Sequence, residues 1–175
     1  MYNDSALTLA GSITYPAGAY TLAGQSIIGS GTINSANVID LSSGATLPTG
    51  AYAPLGSAQV RDAGAGFGNY LRLQLTQAVA GATSVEFQAI QHDDTAQSVN
   101  VNVVGSTGAI PVASLTSGAR FLAEISPRLG GKLGQRYLSM RAVVTGTATT
   151  GAVFADLGTE YQDGAKFYST GSAVV

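Results

Sequence analysis

The chain has 175 residues and a mass of 17.6 kDa, enough for one hydrophobic core and too little for two ordinary ones. Hydrophobic residues make up 45% of it and charged residues 10%, where a soluble domain averages about 25% charged, and this excludes a disordered chain. Eight Lys and Arg against ten Asp and Glu, with a pI near 5.1, leave no basic field to neutralise a nucleic-acid backbone.

In chain order, residues 1–36 read as an extended arm of strands and turns rich in Gly, Ala, Ser and Thr. Between Ser5 and Val60 the only charged residue is Asp40, whereas every Lys and Arg lies from Arg61 onward. That asymmetry predicts an opening segment that needs another surface to cover it, followed by a body of regular strands. A near-repeat, Thr14-Tyr15-Pro16-Ala17-Gly18-Ala19-Tyr20 and Thr46-Leu47-Pro48-Thr49-Gly50-Ala51-Tyr52, reads as two similar strand-entry turns, because Pro presets φ and Gly accepts positive φ. Asn37 to Leu41 is a short strand. Gly64-Ala65-Gly66-Phe67-Gly68 superficially resembles a phosphate-cradling loop, but that fingerprint needs a helix after it, and Tyr70 to Thr76 alternates as a strand.

From residue 70 the hydrophobic period is two. Leu71, Leu73 and Leu75 alternate with Arg72, Gln74 and Thr76; Val85 and Phe87 with Glu86 and Gln88; Val99, Val101 and Val103 with Asn100 and Asn102. Each run predicts a strand with one buried and one wet face. Ala119 to Ile125, Tyr137 to Val144 and Gly151 to Leu157 complete the set. Turn residues separate the runs, notably His92-Asp93-Asp94, Gly105-Ser106-Thr107-Gly108 and Gly130-Gly131. The expected fold is all-β, a single antiparallel jelly-roll-like β-sandwich carrying the extended N-terminal arm.

Chemistry has few candidates. The absence of Cys removes disulfides, thiolate nucleophiles and cysteine metal sites, and a single His removes the usual imidazole sites. Met1-Tyr2-Asn3-Asp4 lacks the positive start of a secretory signal, and the uncharged run Ser5 to Ile39 is broken by Gly, Ser, Thr and Asn, so no membrane span is expected. Glu86 with Asp93 or Asp94 could form the carboxylate pair of a glycoside hydrolase. The favoured reading of His92-Asp93-Asp94 is instead a turn in which Asp accepts backbone N–H bonds. A calcium loop is a weak reading because the D-x-D-x-D-G pattern is missing. The expectation is therefore no catalytic residue, no metal and no cofactor. Ser126 to Arg136 places Arg128, Lys132 and Arg136 on one connection; it reads either as a solvated loop or as a docking loop pairing with a partner's carboxylates.

Several ordered stretches carry a resemblance. Asn37 to Leu41, Arg61-Asp62-Ala63-Gly64-Ala65-Gly66, Tyr70 to Leu75, Gly108-Ala109-Ile110-Pro111-Val112-Ala113-Ser114-Leu115, and Arg136-Tyr137-Leu138 followed by Val144-Thr145-Gly146-Thr147 occur in this order. Over residues 37–159 the chain resembles capsid cement proteins of tailed bacteriophages, of the type known from a Bordetella phage. The resemblance implies a jelly-roll sandwich without a catalytic site, lying on the outer capsid surface of the virion and bridging major capsid proteins, after assembly in the host cytoplasm. The chain departs from the pattern by an insertion at 42–60 and an extension at 160–175.

The composition suits such a role independently. Tyr15, Tyr20 and Tyr52 would add contact area, and Gly lets a backbone lie close to a neighbour. Met1 to Ile33, together with the Ser42 to Val60 insertion, is expected to order only on the capsid or against a sister subunit. Low charge and open strand edges favour self-association as a dimer or trimer. No nucleic-acid or membrane partner is expected. The alternative is a virion-surface or extracellular module binding carbohydrate or a receptor.

Overall fold

The computed structural model describes residues 7–14, 21–40, 70–125 and 137–158. Their backbone is almost wholly extended. The strands are β1 (Thr8–Ala10), β2 (Ser12–Thr14), β3 (Thr21–Ala23), β4 (Gln25–Ser26), β5 (Gly29–Asn34), β6 (Ile39–Asp40), β7 (Tyr70–His92), β8 (Asn102–Pro111), β9 (Arg120–Glu124) and β10 (Tyr137–Gly158). One 3₁₀ turn, Val112–Ser114, follows β8.

The axis of the fold is the antiparallel ribbon of β7 and β10, 23 and 22 residues long. Each is two of the predicted runs joined. The segments between those runs, 77–84 and 145–150, contain no Pro, so the chain bends through bulges without leaving the ladder. Gly81 shows why a turn is unnecessary. Its φ is +84°, and a Cβ there would lie 2.7 Å from the Thr147 carbonyl oxygen, so only glycine lets the two strands approach at the bend.

Each half of the ribbon has its own neighbours. Along one side of β10 lie β6 and β5 at residues 137–148, β4 at 152–153 and β1 at 155–156. Along the far side of β7, β9 pairs with 70–74 and β8 with 84–91. The eight-stranded sheet curls so that both halves contribute to one core, which includes Leu71, Leu73, Phe87, Met140 and Val153. This is the all-β, antiparallel, jelly-roll-like sandwich that the sequence predicted. A separate hairpin, β2 with β3, pairs Ser12 with Ala23.

Register explains which side chains enter the core. From Tyr137↔His92 to Thr145↔Ser84, core pairs are Met140↔Ala89, Ala142↔Phe87 and Val144↔Val85. Past the bulges the register has moved by one residue, and the core pairs become Val153↔Leu75, Ala155↔Leu73 and Leu157↔Leu71. The inward positions of β10 thus switch from even to odd, while those of β7 stay odd. A one-residue slip does this because side chains alternate with period two. Residues 112–119 strap the bend: Val79 N–H donates to the Leu115 carbonyl at 3.0 Å, and the Leu115 side chain is fully buried.

Two predicted details differ. Val99 to Val103 was expected as a strand with the valines inward, but β8 begins at Asn102, and Val99 and Val103 are exposed. Asn100, at φ +51°, belongs to the preceding turn, so the alternation there has no sheet to face. The Gly105-Ser106-Thr107-Gly108 cluster, expected as a separator, is a bulged stretch inside β8. Within residues 1–36, β1, β4 and β5 pair with β10, and Leu9 and Ile27 are fully buried. For these described parts the covering surface is the chain's own ribbon, whose β10 edge pairs with their backbone groups. These parts therefore need neither capsid nor sister subunit to find partners.

Candidate functional site

β7 ends in His92, whose ring is fully buried and stacks on Tyr137 of β10 with centroids 5.8 Å apart and planes 17° from parallel. Nδ1 lies 2.6 Å from the Asp94 carbonyl oxygen, which can only accept, so this nitrogen carries a proton. Nε2 lies 2.8 Å from Ser139 Oγ. Ser139 Oγ is also 3.0 Å from Gln97 Oε1, and Gln97 Nε2 donates to the Ser35 carbonyl at 2.7 Å. Ser35 in turn exchanges bonds with β10: its N–H donates to the Met140 carbonyl at 2.8 Å, and its Oγ accepts from Met140 N–H at 3.2 Å. One polar chain therefore joins β7, the turn after it, β10 and the residue following β5. Burial pushes the His92 pKa below its ordinary value, against the bond to the Asp94 carbonyl and the charges of Asp94 and Asp93.

The turn itself is built by its aspartates, as the sequence indicated. Asp94 accepts from Val99 N–H at 2.9 Å, and from Ser98 N–H at 2.8 Å and its hydroxyl at 2.7 Å. These bonds hold its carboxyl down at about 2. Asp93 accepts from Asn100 Nδ2 at 2.6 Å. Glu86, which would pair with either aspartate in a hydrolase, lies on β7 and accepts from Gln88 Nε2 at 2.7 Å and Ser106 Oγ at 2.6 Å. Those bonds, with Arg141 nearby, hold it below the usual carboxylate range. Arg141 Nε donates to Gln88 Oε1 at 2.6 Å. Strand and turn neighbours thus engage all three carboxylates, and among the described residues no group of three or more His, Asp or Glu could hold a metal ion.

A second buried polar pair was missed by periodicity. Arg72, placed on the wet face by alternation, is only 4% exposed and sits directly across from Asp156, which is 2% exposed. Its Nε donates to Asp156 Oδ1 at 2.9 Å and its Nη2 to Oδ2, a bidentate pair. A Cβ at Gly158 would fall 2.5 Å from the guanidinium carbon, so the arginine lies across the glycine backbone. The available signal was an Arg and an Asp in two hydrophobic strands; their pairing needed the register.

The contact residues expected from sequence, Arg128, Lys132, Arg136, Tyr15, Tyr20 and Tyr52, lie outside the described residues, as do the 42–60 insertion and the 160–175 extension. The described surface carries exposed apolar side chains at Leu7, Ile28 and Leu122, and at Val99 and Val103, which alternation had placed inward. Among the described residues β5 pairs only with β10, and β8 and β9 only with β7, leaving open sheet edges.

A search of curated proteins found no match. A family model described as Bbp16 matches residues 22–157, a span that begins before β4 and ends at the last turn of the ladder between β10 and β7. That name points to a protein of a Bordetella phage, in agreement with the resemblance drawn from the ordered motifs, and the match covers the curled sheet except β1 and the last residue of β10. On this match, the chain belongs to the Bbp16 family.

Proposed function

We propose that this protein is a structural component of the virion, a cement or decoration protein that binds the outer surface of a phage head and stabilises it by bridging major capsid proteins. The observation that carries the reading is the Bbp16 match over the whole β7–β10 ribbon, together with the cement-protein motifs in the same order. The surface is compatible with it. A protein that seals seams draws binding energy from area and from strand edges, and among the described residues β5, β8 and β9 each have one unpaired edge, in a chain with few charges to desolvate. In this reading Arg128, Lys132 and Arg136 pair with carboxylates of the capsid protein, Tyr15, Tyr20 and Tyr52 supply contact area, and copies associate as dimers or trimers on the shell.

Cosedimentation of the purified protein with capsids lacking it is the test. Saturable binding at a fixed ratio to the major capsid protein, with a raised temperature of shell disruption, is expected. Absence of binding to mature shells across a range of salt would overturn the reading. Changing Arg128, Lys132 and Arg136 together to Ala should weaken binding without altering the unfolding transition; unchanged binding would remove those three from the contact.

A further inference from the structure

We propose that His92 is an acid-sensitive latch that holds the segment around Ser35 and β6 onto β10. The geometry carries the argument. The ring is enclosed, and its two hydrogen-bond partners, the Asp94 carbonyl and the Ser139 hydroxyl, are both neutral. An imidazolium there would be a buried cation with no carboxylate in contact.

The charged groups around the ring compensate this only in part: the carboxylates of Asp94 and Asp93 favour the cation through space without touching it, and burial outweighs them. In the turn, the Asp94 carboxylate is spent on Ser98 and Val99, and that of Asp93 accepts from Asn100. On β10, Tyr137 stacks on the ring, and Arg141 lies two rungs further along, bound to Gln88. On β6, Asp40 is across from Tyr137, one strand beyond the imidazole. On β7, Glu86 is three rungs away along the same face and bonded to Gln88 and Ser106.

Hydrogen-bond counting alone would accept a proton. The Ser139 hydroxyl has one hydrogen for two acceptors, His92 Nε2 and Gln97 Oε1, and a protonated Nε2 would free it for Gln97. Burial opposes this, and it is the larger influence on the ring. A proton is therefore taken up by an open state in which the imidazole reaches water. Opening removes the stacking partner of Tyr137, which pairs with Asp40, and the support of Gln97, which holds Ser35. Ser35 and β6 keep their own bonds to β10 but lose the support of Gln97 and of the braced Tyr137, so those bonds open more readily, while the Arg72–Asp156 end of the ribbon is untouched.

The magnitude follows from linkage. If the closed state excludes the proton and the open ring titrates near 6.5, the opening constant rises about tenfold for each pH unit below that value. His92 is the one histidine of the chain, so its NMR signal in the full-length protein is unambiguous. The experiment titrates that ring and follows amide exchange at Ser35 and Met140, corrected for intrinsic pH dependence, with Leu73 and Ala155 as references. The expected result is a midpoint below 6.5 and protection at Ser35 and Met140 falling about tenfold per unit, with the references steady. A midpoint at or above 6.5, protection unchanged through the titration, or a ring that stays neutral until global unfolding would each overturn the latch. His92→Phe, which keeps the stack but cannot titrate, should abolish the dependence where it folds; the wild-type titration decides the matter without it.

Discussion

Removing the Asp156 carboxylate alone should destabilise this protein far more than removing the whole ion pair. In Asp156→Ala the buried Arg72 guanidinium loses both bonds of the bidentate pair, a cost of about 3–5 kcal/mol. For a chain of this length each kcal/mol moves the melting temperature by about 2–4 °C, so the single variant should melt roughly 6–20 °C lower. Arg72→Met with Asp156→Leu replaces both charges by apolar groups of similar reach and should come within about 1 kcal/mol of the parent, or exceed it. The direction of the Asp156 shift agrees: burial raises its pKa by more than Arg72 lowers it, so the fold penalises the ionised carboxyl. Because the folded value lies above the unfolded one, the contribution of this group is fullest below the unfolded pKa of about 3.9 and is lost as pH rises through the folded value. What the pair supplies is register. A slip by one residue would set Arg72 against Ala155 or Leu157 and turn Leu71, Leu73 and Leu75 off the core face. Urea unfolding of the parent, both single variants and the double variant closes the cycle. A single-variant cost below about 1 kcal/mol, or a double variant as damaged as the singles, would refute the reasoning.

Other consequences are equally direct. Phe87→Ala empties a fully buried position at the centre of the core and should cost about 3–5 kcal/mol in chemical denaturation; a loss under about 1 kcal/mol would mean that the two halves of the sheet do not share one core there. Gly81→Ala forces a Cβ toward the Thr147 carbonyl at positive φ and should lower stability by about 1–3 kcal/mol; a rise in melting temperature would show that the bend does not need glycine. Asp94 has a depressed pKa, so its contribution is present above its unfolded value and disappears as pH falls through about 2. Amide exchange at Ser98 and Val99 should accelerate over that interval, beyond its intrinsic change, and Asp94→Ala should show the faster exchange already at neutral pH.

Much of this architecture was legible in the sequence because it depends on near neighbours. Alternation at 71–75 and 85–87 marks the inward face of β7 directly, since period two is a property of the extended backbone itself. The 93–94 turn was legible for a similar reason: an aspartate capping N–H groups four and five residues ahead is a local interaction. The lack of charge between Ser5 and Ile39 pointed to a segment that needs a covering surface, and Leu9, Ala10 and Ile27 in its described parts are fully buried.

The rest was decided by residues that meet only when the chain folds. No local signal told that two pairs of runs would join into two long strands, because a bulge and a turn both use small residues, and only the ladder distinguishes them. The valines at 99 and 103 carry the right alternation, but Val99 falls in the turn and Val103 on the outer face of β8, where Val104 is the inward residue. Arg72 and Asp156 are 84 positions apart, and the Ser139–Gln97, Gln97–Ser35 and Met140–Ser35 bonds span 42, 62 and 105. Periodicity, turn chemistry and composition act through the covalent neighbourhood, so the sequence alone settled the fold class, the inward faces of most strands and the aspartate turn. Which polar groups are buried together depends on register and on the curl of the sheet, which set distances between remote residues, and those were settled only by the tertiary structure.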